Sequence, residues 1–167
     1  TAEADSTVTL LSSGVAIGTT TADGSGQFSI TTSTLPDNTY SLTVTAKDAA
    51  GNVSAASSAL NITVDTTPPA KPIITTTTSL TNDSTPAIEG VAEAGSTVTL
   101  FSGDISLGTT IAESDGAFSI TSPELADDSY SLTVTATDAV GNTSSASSAL
   151  SITVDTTAPA QPSITTT

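Results

Sequence analysis

The sequence of 167 residues contains no cysteine, histidine, tryptophan or methionine, and its only two basic residues are Lys47 and Lys71. Without histidine or cysteine, the usual pairs of catalytic nucleophile and base cannot be assembled. Adjacent carboxylates such as Asp127 and Asp128 would lie on one turn, where they cannot flank a glycosidic bond. The sequence therefore predicts a protein that is not an enzyme.

Positive charge is almost absent, because the chain has 17 acidic residues and only two lysines, which together give a formal net charge of −15. Such a chain is repelled by nucleic acids and by anionic membranes. No apolar run approaches the length of a membrane span, and no signal-type N-terminus is present. We expect no nucleic-acid partner and no membrane insertion. The absence of cysteine fits either a cytosolic protein or a bacterial secreted protein without disulfides, and the richness in Thr, Ser, Asp and Gly favours the latter.

One proline-rich phrase occurs twice, VDTTPPAKPIITTT at Val64–Thr77 and VDTTAPAQPSITTT at Val154–Thr167. The offset of 90 positions extends over the whole chain, and about two thirds of the aligned positions are identical. This periodicity is typical of a tandem array with one domain per repeat. We predict an incomplete repeat at residues 1–67, a complete one at 68–157, and the first strand of a further repeat at 158–167.

The complete repeat alternates apolar and polar residues over short segments that turn signals separate. In SYSLTVTATD, Tyr130, Leu132, Val134 and Ala136 share one face, which is the pattern of a half-buried strand. The fold class is therefore all-β, with tandem immunoglobulin-like β-sandwich domains of about seven strands per 90-residue repeat. The seven predicted strands are Pro72–Thr77, Ala87–Val91, Thr97–Ser102, Ile105–Ile111, Ala117–Thr121, Ser129–Thr137 and Ala149–Asp155.

The aromatic residues are few and take structural positions. Tyr40 and Tyr130 each follow an Asp-rich corner and open the longest strand, which is the place of a tyrosine corner. We expect their hydroxyls to bind the backbone. Phe28 and Phe118, in GQFSI and GAFSI, are predicted core residues.

The first repeat has no counterpart of Thr78–Gly90 or of the first strand. A sandwich that lacks strands exposes its core and its sheet edges. We hypothesise that the sequence was cut out of a longer array, and that the missing strands are either lost or donated by a neighbouring molecule through strand addition.

Loops rich in Asp, Asn and Gly supply the oxygen ligands that calcium needs. Sandwich topology predicts that the linker, the loop before the last strand and two other loops meet at one end of each domain. The candidate ligands at the junction of the two repeats are Asp65, Glu93, Asp138, Asn142 and Asp37. The candidates at the equivalent half-junctions are Glu3, Asp48 and Asn52 at one end and Asp127, Asp128 and Asp155 at the other. Alternatively, Asp48 and Asp138 bind the backbone of their own turns.

Three motifs carry a resemblance to a known family: VDTTPP/VDTTAP, TAKDAAGNVS/TATDAVGNTS and LPDNTYSLTV/LADDSYSLTV. They resemble the bacterial Ig-like domain repeats of large surface adhesins, including biofilm-associated and type I-secreted, RTX-type adhesins. The resemblance implies calcium at domain junctions, since family members often hold it there, and an extracellular place on the bacterial cell surface.

The function that we expect from the resemblance is a calcium-stiffened spacer, which contacts neighbouring repeats of the same chain and projects a terminal domain that binds an adhesion ligand. The proline-rich linker favours this role because it stiffens an extended backbone. Two alternatives stay open at this point. The chain is a module that binds a glycan or a protein, or it is an accessory stalk of a secreted enzyme.

Overall fold

A computed structural model describes residues 1–164 of the chain, which divides into two compact units, Thr1–Thr66 and Thr67 onward. Every regular element among the described residues is a β-strand. This part of the chain offers no helix with the length and apolar character needed to cross a bilayer. The all-β prediction is confirmed.

The first unit consists of a single antiparallel sheet with the strand order β2-β1-β3-β4. Its strands are β1 (Thr7–Ser12), β2 (Val15–Thr21), β3 (Asn38–Lys47) and β4 (Leu60–Val64). β1 lies between β2 and β3, and its register shifts at Leu10 and Leu11 where it pairs with β2. The segment Gln27–Thr31, with Phe28, forms no strand.

The second unit contains two sheets, with the strand orders β10-β7-β5 and β6-β12-β11-β8-β9. β6 runs parallel to β12, whereas every other pair is antiparallel. The strands are β5 (Ile73–Ile74), β6 (Leu80–Thr81), β7 (Ala87–Val91), β8 (Thr97–Ser102), β9 (Ile105–Ile111), β10 (Ala117–Thr121), β11 (Asp128–Thr137) and β12 (Leu150–Val154).

The core of the second unit lies between these two sheets. Alternate residues of each strand point inward, so that branched aliphatic side chains from both sheets meet around one phenylalanine. The buried cluster comprises Ile88, Val98, Leu100, Ala112, Phe118, Ile120, Leu132, Val134 and Ile152. The prediction that Phe118 is a core residue is confirmed.

The predicted strands of the complete repeat all occur, with two differences. The strand predicted at Pro72–Thr77 is only two residues long, and β6 is an eighth strand that the pattern did not reveal. The predicted strand within residues 158–167 falls partly outside the described residues, and residues 158–164 are irregular.

Both tyrosines bind the backbone as the corner position predicts. The Tyr40 hydroxyl donates to the carbonyl of Pro36 at 2.7 Å, and that of Tyr130 donates to the carbonyl of Ala126 at 3.1 Å. Each bond joins the start of the longest strand to the loop before it.

Candidate functional site

The carboxylate of Asp138 organises the loop that follows β11. Its Oδ1 accepts hydrogen bonds from the backbone N–H groups of Val140, Gly141 and Asn142, at 2.9, 2.7 and 2.9 Å, and its Oδ2 accepts one from Asn142 Nδ2 at 2.7 Å. Gly141 has a φ of 101°, which favours glycine at this turn. Asp138 and Asn142 therefore lie together, and they bind the turn as the alternative interpretation predicted.

The first unit repeats this arrangement. Asp48 accepts from the backbone N–H of Asn52 at 2.8 Å and from Asn52 Nδ2 at 2.7 Å. The Asn52 side chain is the largest cause of a lowered pKa at Asp48. At Asp138, partial desolvation is the largest influence and opposes the shift, but the bonds from Asn142, Val140 and Gly141 together lower the pKa.

Because hydrogen bonds to the ionised Asp138 carboxylate lower its pKa, the stability of the loop that it organises depends on pH. A folded pKa below the ordinary 3.8 means that the ionised carboxylate favours the folded state. Its contribution is complete above that ordinary value and is lost as pH falls through the lowered one. We expect Asp138→Ala to lower the thermal midpoint of the second unit at neutral pH, and we expect its difference from the parent chain to narrow as the pH falls through the folded pKa.

Thermal unfolding followed by circular dichroism across this pH range measures the effect. Asp104→Ala is the control, because Asp104 lies in the exposed turn between β8 and β9. A gap between Asp138→Ala and the parent that is the same in acid as at neutral pH would contradict the assignment.

A second carboxylate holds the chain as it leaves the last strand of the second unit. Asp127 accepts from the N–H and the hydroxyl of Thr156, at 2.8 and 2.7 Å, and from the hydroxyl of Thr157 at 2.7 Å. The Thr157 hydroxyl is the largest cause of a lowered pKa at Asp127. Asp155 accepts from the N–H of Thr157 at 3.1 Å.

The first unit contains a matching contact. The Thr66 hydroxyl, just beyond β4, donates to Asp37 at 2.8 Å. Asp37 and Asp127 occupy equivalent positions of the repeat, before the strand that carries the corner tyrosine. The sequence VDTT thus contributes threonines that bind a carboxylate about 30 residues earlier.

The other predicted ligands make local contacts of their own. Glu93 and Glu3 each accept, through the backbone carbonyl, from the N–H and hydroxyl of a serine three residues later. Asp128 accepts from the N–H of Ser129 at 2.7 Å, and Asp65 is exposed just after β4.

A metal cage of acidic side chains alone is not preformed within residues 1–164, since no three of them stand close enough to hold an ion. The first unit does bring Glu3, Asp48 and Asn52 to the lining of one open groove of about 500 Å³. The calcium site stays a prediction.

Two buried serines after β11 bind the backbone of that strand, and the sequence analysis did not identify them. The Ser147 hydroxyl accepts from the N–H of Val134 at 3.0 Å, and the Ser144 hydroxyl accepts from the N–H of Ala136 at 3.0 Å. Their own N–H groups donate back to the same two residues. Ser57 and Ser54 do the same in the first unit. The signal was available, because both repeats keep these serines three residues apart.

A family model described as bacterial Ig-like domain matches residues 1–66 and 74–156. Among curated proteins, exoglucanase B of Cellulomonas fimi is 37% identical over 158 residues, which cover 87% of this chain and 14% of that protein. Chitinase A1 of Niallia circulans is 38% identical over 125 residues, which cover 68% of this chain and 17% of that protein. The chain thus spans less than a fifth of the length of either relative.

Two solved structures are similar to this chain over most of its length. The fibronectin(III)-like modules of Clostridium thermocellum CbhA align with a TM-score of 0.58 and 15% identity, over 92% of this chain and 79% of theirs. A biofilm-associated protein, in its BSP domain, aligns at 27% identity with a TM-score of 0.43, over 94% of this chain and 26% of that one. The first of these alignments agrees with an immunoglobulin-like β-sandwich.

Proposed function

Because the chain belongs to the bacterial Ig-like domain family and carries that domain twice in tandem, we propose that it is a non-catalytic spacer segment of a larger extracellular bacterial protein. In this role it separates a terminal binding domain from the cell surface, as in a large adhesin that serves attachment or biofilm formation. Its partners are neighbouring repeats of the same polypeptide.

The observation that carries this proposal is the fixed path of the chain at the end of each unit. β12 continues into Thr156 and Thr157, which Asp127 binds, and β4 continues into Thr66, which Asp37 binds. Such contacts cost the chain conformational freedom just where it leaves the domain. A spacer must hold its two ends at a set separation, which requires a restricted chain path. A binding module needs this restriction much less.

We further propose that calcium stiffens the spacer. Hard cations take oxygen ligands from carboxylates, amide side chains and backbone carbonyls. Asp65, Glu93 and Asp37 supply carboxylates. Asp138 and Asn142 add oxygens in a loop that is already ordered. Of the four hydrogen bonds that the Asp138 carboxylate accepts, three go to Oδ1 and only one to Oδ2, so Oδ2 is the oxygen with a lone pair left for a cation.

Small-angle X-ray scattering of the chain tests both parts of the proposal. A compact globule of this length has a radius of gyration of about 15 Å. A spacer is expected to exceed that value clearly, and its maximum dimension is expected to rise further in millimolar calcium relative to EDTA. Millimolar magnesium at matched ionic strength is the control. A radius near the globular value would refute the spacer, and identical curves in all three buffers would refute calcium stiffening alone.

A second candidate function is an accessory segment of a secreted enzyme that degrades polysaccharides. The exoglucanase and chitinase relatives, at 37% and 38% identity, favour it. Cosedimentation of the chain with insoluble cellulose and with chitin separates the candidates. Retention on either polymer would favour an accessory module that contacts substrate, whereas a spacer stays in the supernatant.

A further inference from the structure

In the second unit, a strand near the entry of the chain lies directly beside the strand from which the chain leaves. β6 pairs with β12 in the five-stranded sheet, with Leu80 opposite Thr153 and Thr81 opposite Val154. This is the one parallel pair in the part of the chain that the structure describes. The entry and the exit of the second unit are therefore joined by a single short ladder of hydrogen bonds.

The parallel direction decides how this ladder carries a pull on the two ends of the unit. The chain enters β6 at its N-terminal end and leaves β12 at its C-terminal end, and in a parallel pair these two points lie at opposite ends of the ladder. Tension therefore pulls the strands past each other along their length and loads every hydrogen bond of the ladder at once. In an antiparallel hairpin, the free ends lie side by side, and tension opens one bond at a time.

The contact between β6 and β12 is made mainly by the backbone. The N–H of Thr153 donates to the carbonyl of Ser79, and the N–H of Asp155 donates to the carbonyl of Thr81, both at 2.9 Å. The side chain of Leu80 is 67% exposed, so it adds little packing. The resistance of β6 to sliding therefore depends on these hydrogen bonds.

β12 is held in the unit more firmly than β6. The side chains of Ile152 and Val154 are each 1% exposed. The other edge of β12 pairs with β11 over Asp128–Leu132. Just beyond the strand, Asp127 accepts hydrogen bonds from the N–H and the hydroxyl of Thr156. A pull on the exit of the chain thus reaches a strand that is fixed in the core, and the ladder to β6 is where entry and exit can separate.

We propose that the β6–β12 ladder is the load-bearing contact of the second unit, which keeps the unit folded under tension until its hydrogen bonds break together. The inference rests on the proposed spacer function, because a spacer between a cell surface and a bound terminal domain carries any force that acts on that domain. Resistance to force is governed by the rate of unfolding and not by the free energy alone. A strand of two residues thereby gains a function that its length does not suggest.

β5 is the competing contact, since it precedes β6 in the chain. It pairs with β7 through Ile73 and Ile74, and the N–H of Thr75 donates to the carbonyl of Glu89 at 2.9 Å. β7 belongs to the other sheet, so this contact links the entry of the chain to no strand that is paired with β12. We expect β5 to detach early and the load to pass to β6.

Single-molecule force spectroscopy of the whole chain tests the proposal. The sequence contains no cysteine, so two introduced cysteines define where the force acts. Ala70→Cys with Ala158→Cys, both at exposed positions, loads the second unit at its entry and exit. Asp128→Cys with Ala158→Cys loads β11 and β12 at the end where Asp128 pairs with Val154, so their antiparallel ladder opens one bond at a time. The mean unfolding force is expected to be about twofold higher, or more, in the first geometry.

Two proline variants compare the ladder with β5 in the first geometry. Proline has no N–H, so Asp155→Pro removes the 2.9 Å bond from β12 to β6, and Thr75→Pro removes a bond of the same length from β5 to β7. At constant force, Asp155→Pro is expected to unfold about fivefold faster than the parent, as the loss of one loaded hydrogen bond predicts. Thr75→Pro is expected to unfold less than about twofold faster, because its bond breaks before the ladder is loaded. Urea unfolding without force measures the stability that each variant loses, and it separates that loss from the effect of the load.

Two results would overturn the proposal. One is an equal mean unfolding force in the two pulling geometries, a comparison that needs no proline variant to fold. The other is an acceleration by Thr75→Pro that equals or exceeds the acceleration by Asp155→Pro, since β5 would then bear the load. The scattering test of the spacer is separate. An extended chain with equal forces refutes the load-bearing contact alone, whereas a radius of gyration near the globular value refutes the spacer.

Discussion

Replacing Leu132 with alanine is expected to lower the free energy of unfolding of the second unit by about 2–5 kcal/mol. Leu132 is 0% exposed and packs in the core with Leu100, Val134 and Ile152. Removing its three terminal carbons loses the transfer free energy of the side chain and leaves a cavity between two sheets that hydrogen bonds hold in register.

The repeat supplies a matched control at Leu42. Leu42 pairs with Ser12 and Leu60, as Leu132 pairs with Ser102 and Leu150, but it is only half-buried. Leu42→Ala is expected to cost less than half as much, since the first unit has no covering strand over that side chain. Hydrogen exchange under increasing urea, read separately for amides of β3 and β11, gives both values. Equal losses would mean that the inner face of the first unit is covered in solution.

Replacing Gly90 with alanine is expected to destabilise the second unit by about 1–3 kcal/mol and to detach β5 from β7. The added methyl group would overlap the carbonyl of Ile73, which belongs to β5, and the ring of Phe118 in β10. Backbone cannot move aside as a flexible side chain does. The two-residue β5 is held to β7 through Ile73 and Ile74, so it is the element that yields.

Gly108→Ala is the matched control, because Gly108 also lies inside a strand of the second unit. A methyl group there would meet Ile120 Cγ2 at 3.5 Å, which is ordinary van der Waals contact. Urea unfolding measures both variants, and exchange of the Thr75 amide, which donates to Glu89 at 2.9 Å, reports on the attachment of β5. A Gly90→Ala chain as stable as Gly108→Ala would show that β5 and β10 adjust without cost.

Alternation within strands could be read from the sequence because it depends on near neighbours. β11 begins one residue before its predicted start and keeps Leu132, Val134 and Ala136 on the buried face. β6 could not be read in this way. It is two residues long, and it pairs in parallel with Thr153 and Val154, far along the chain. The predicted strand character of GQFSI is realised only in the second repeat, since it depends on β7.

The contacts of the candidate ligands also divide into local ones, which the sequence could predict, and long-range ones, which it could not. The role of Asp138 in its own turn was accessible, because the Gly-Asn sequence that it binds follows within four residues. The bond from Thr156 to Asp127 joins residues 29 positions apart. It depends on β11 and β12 lying side by side, which no local pattern specifies.

The serine pairs after the long strands have a consequence for how repeats fold beside one another. Tethered neighbours of similar sequence are prone to misfold by exchanging strands, and an unpaired strand edge is where such an exchange begins. Beyond Leu132, the edge of β11 is closed by Ser144 and Ser147, whose hydroxyls occupy the N–H groups of Ala136 and Val134. The short polar segment that contains these two serines thereby blocks the pairing of a further strand at this edge. At Val134 and Ala136, this edge of the sheet thus has no N–H group left to start an exchange of strands.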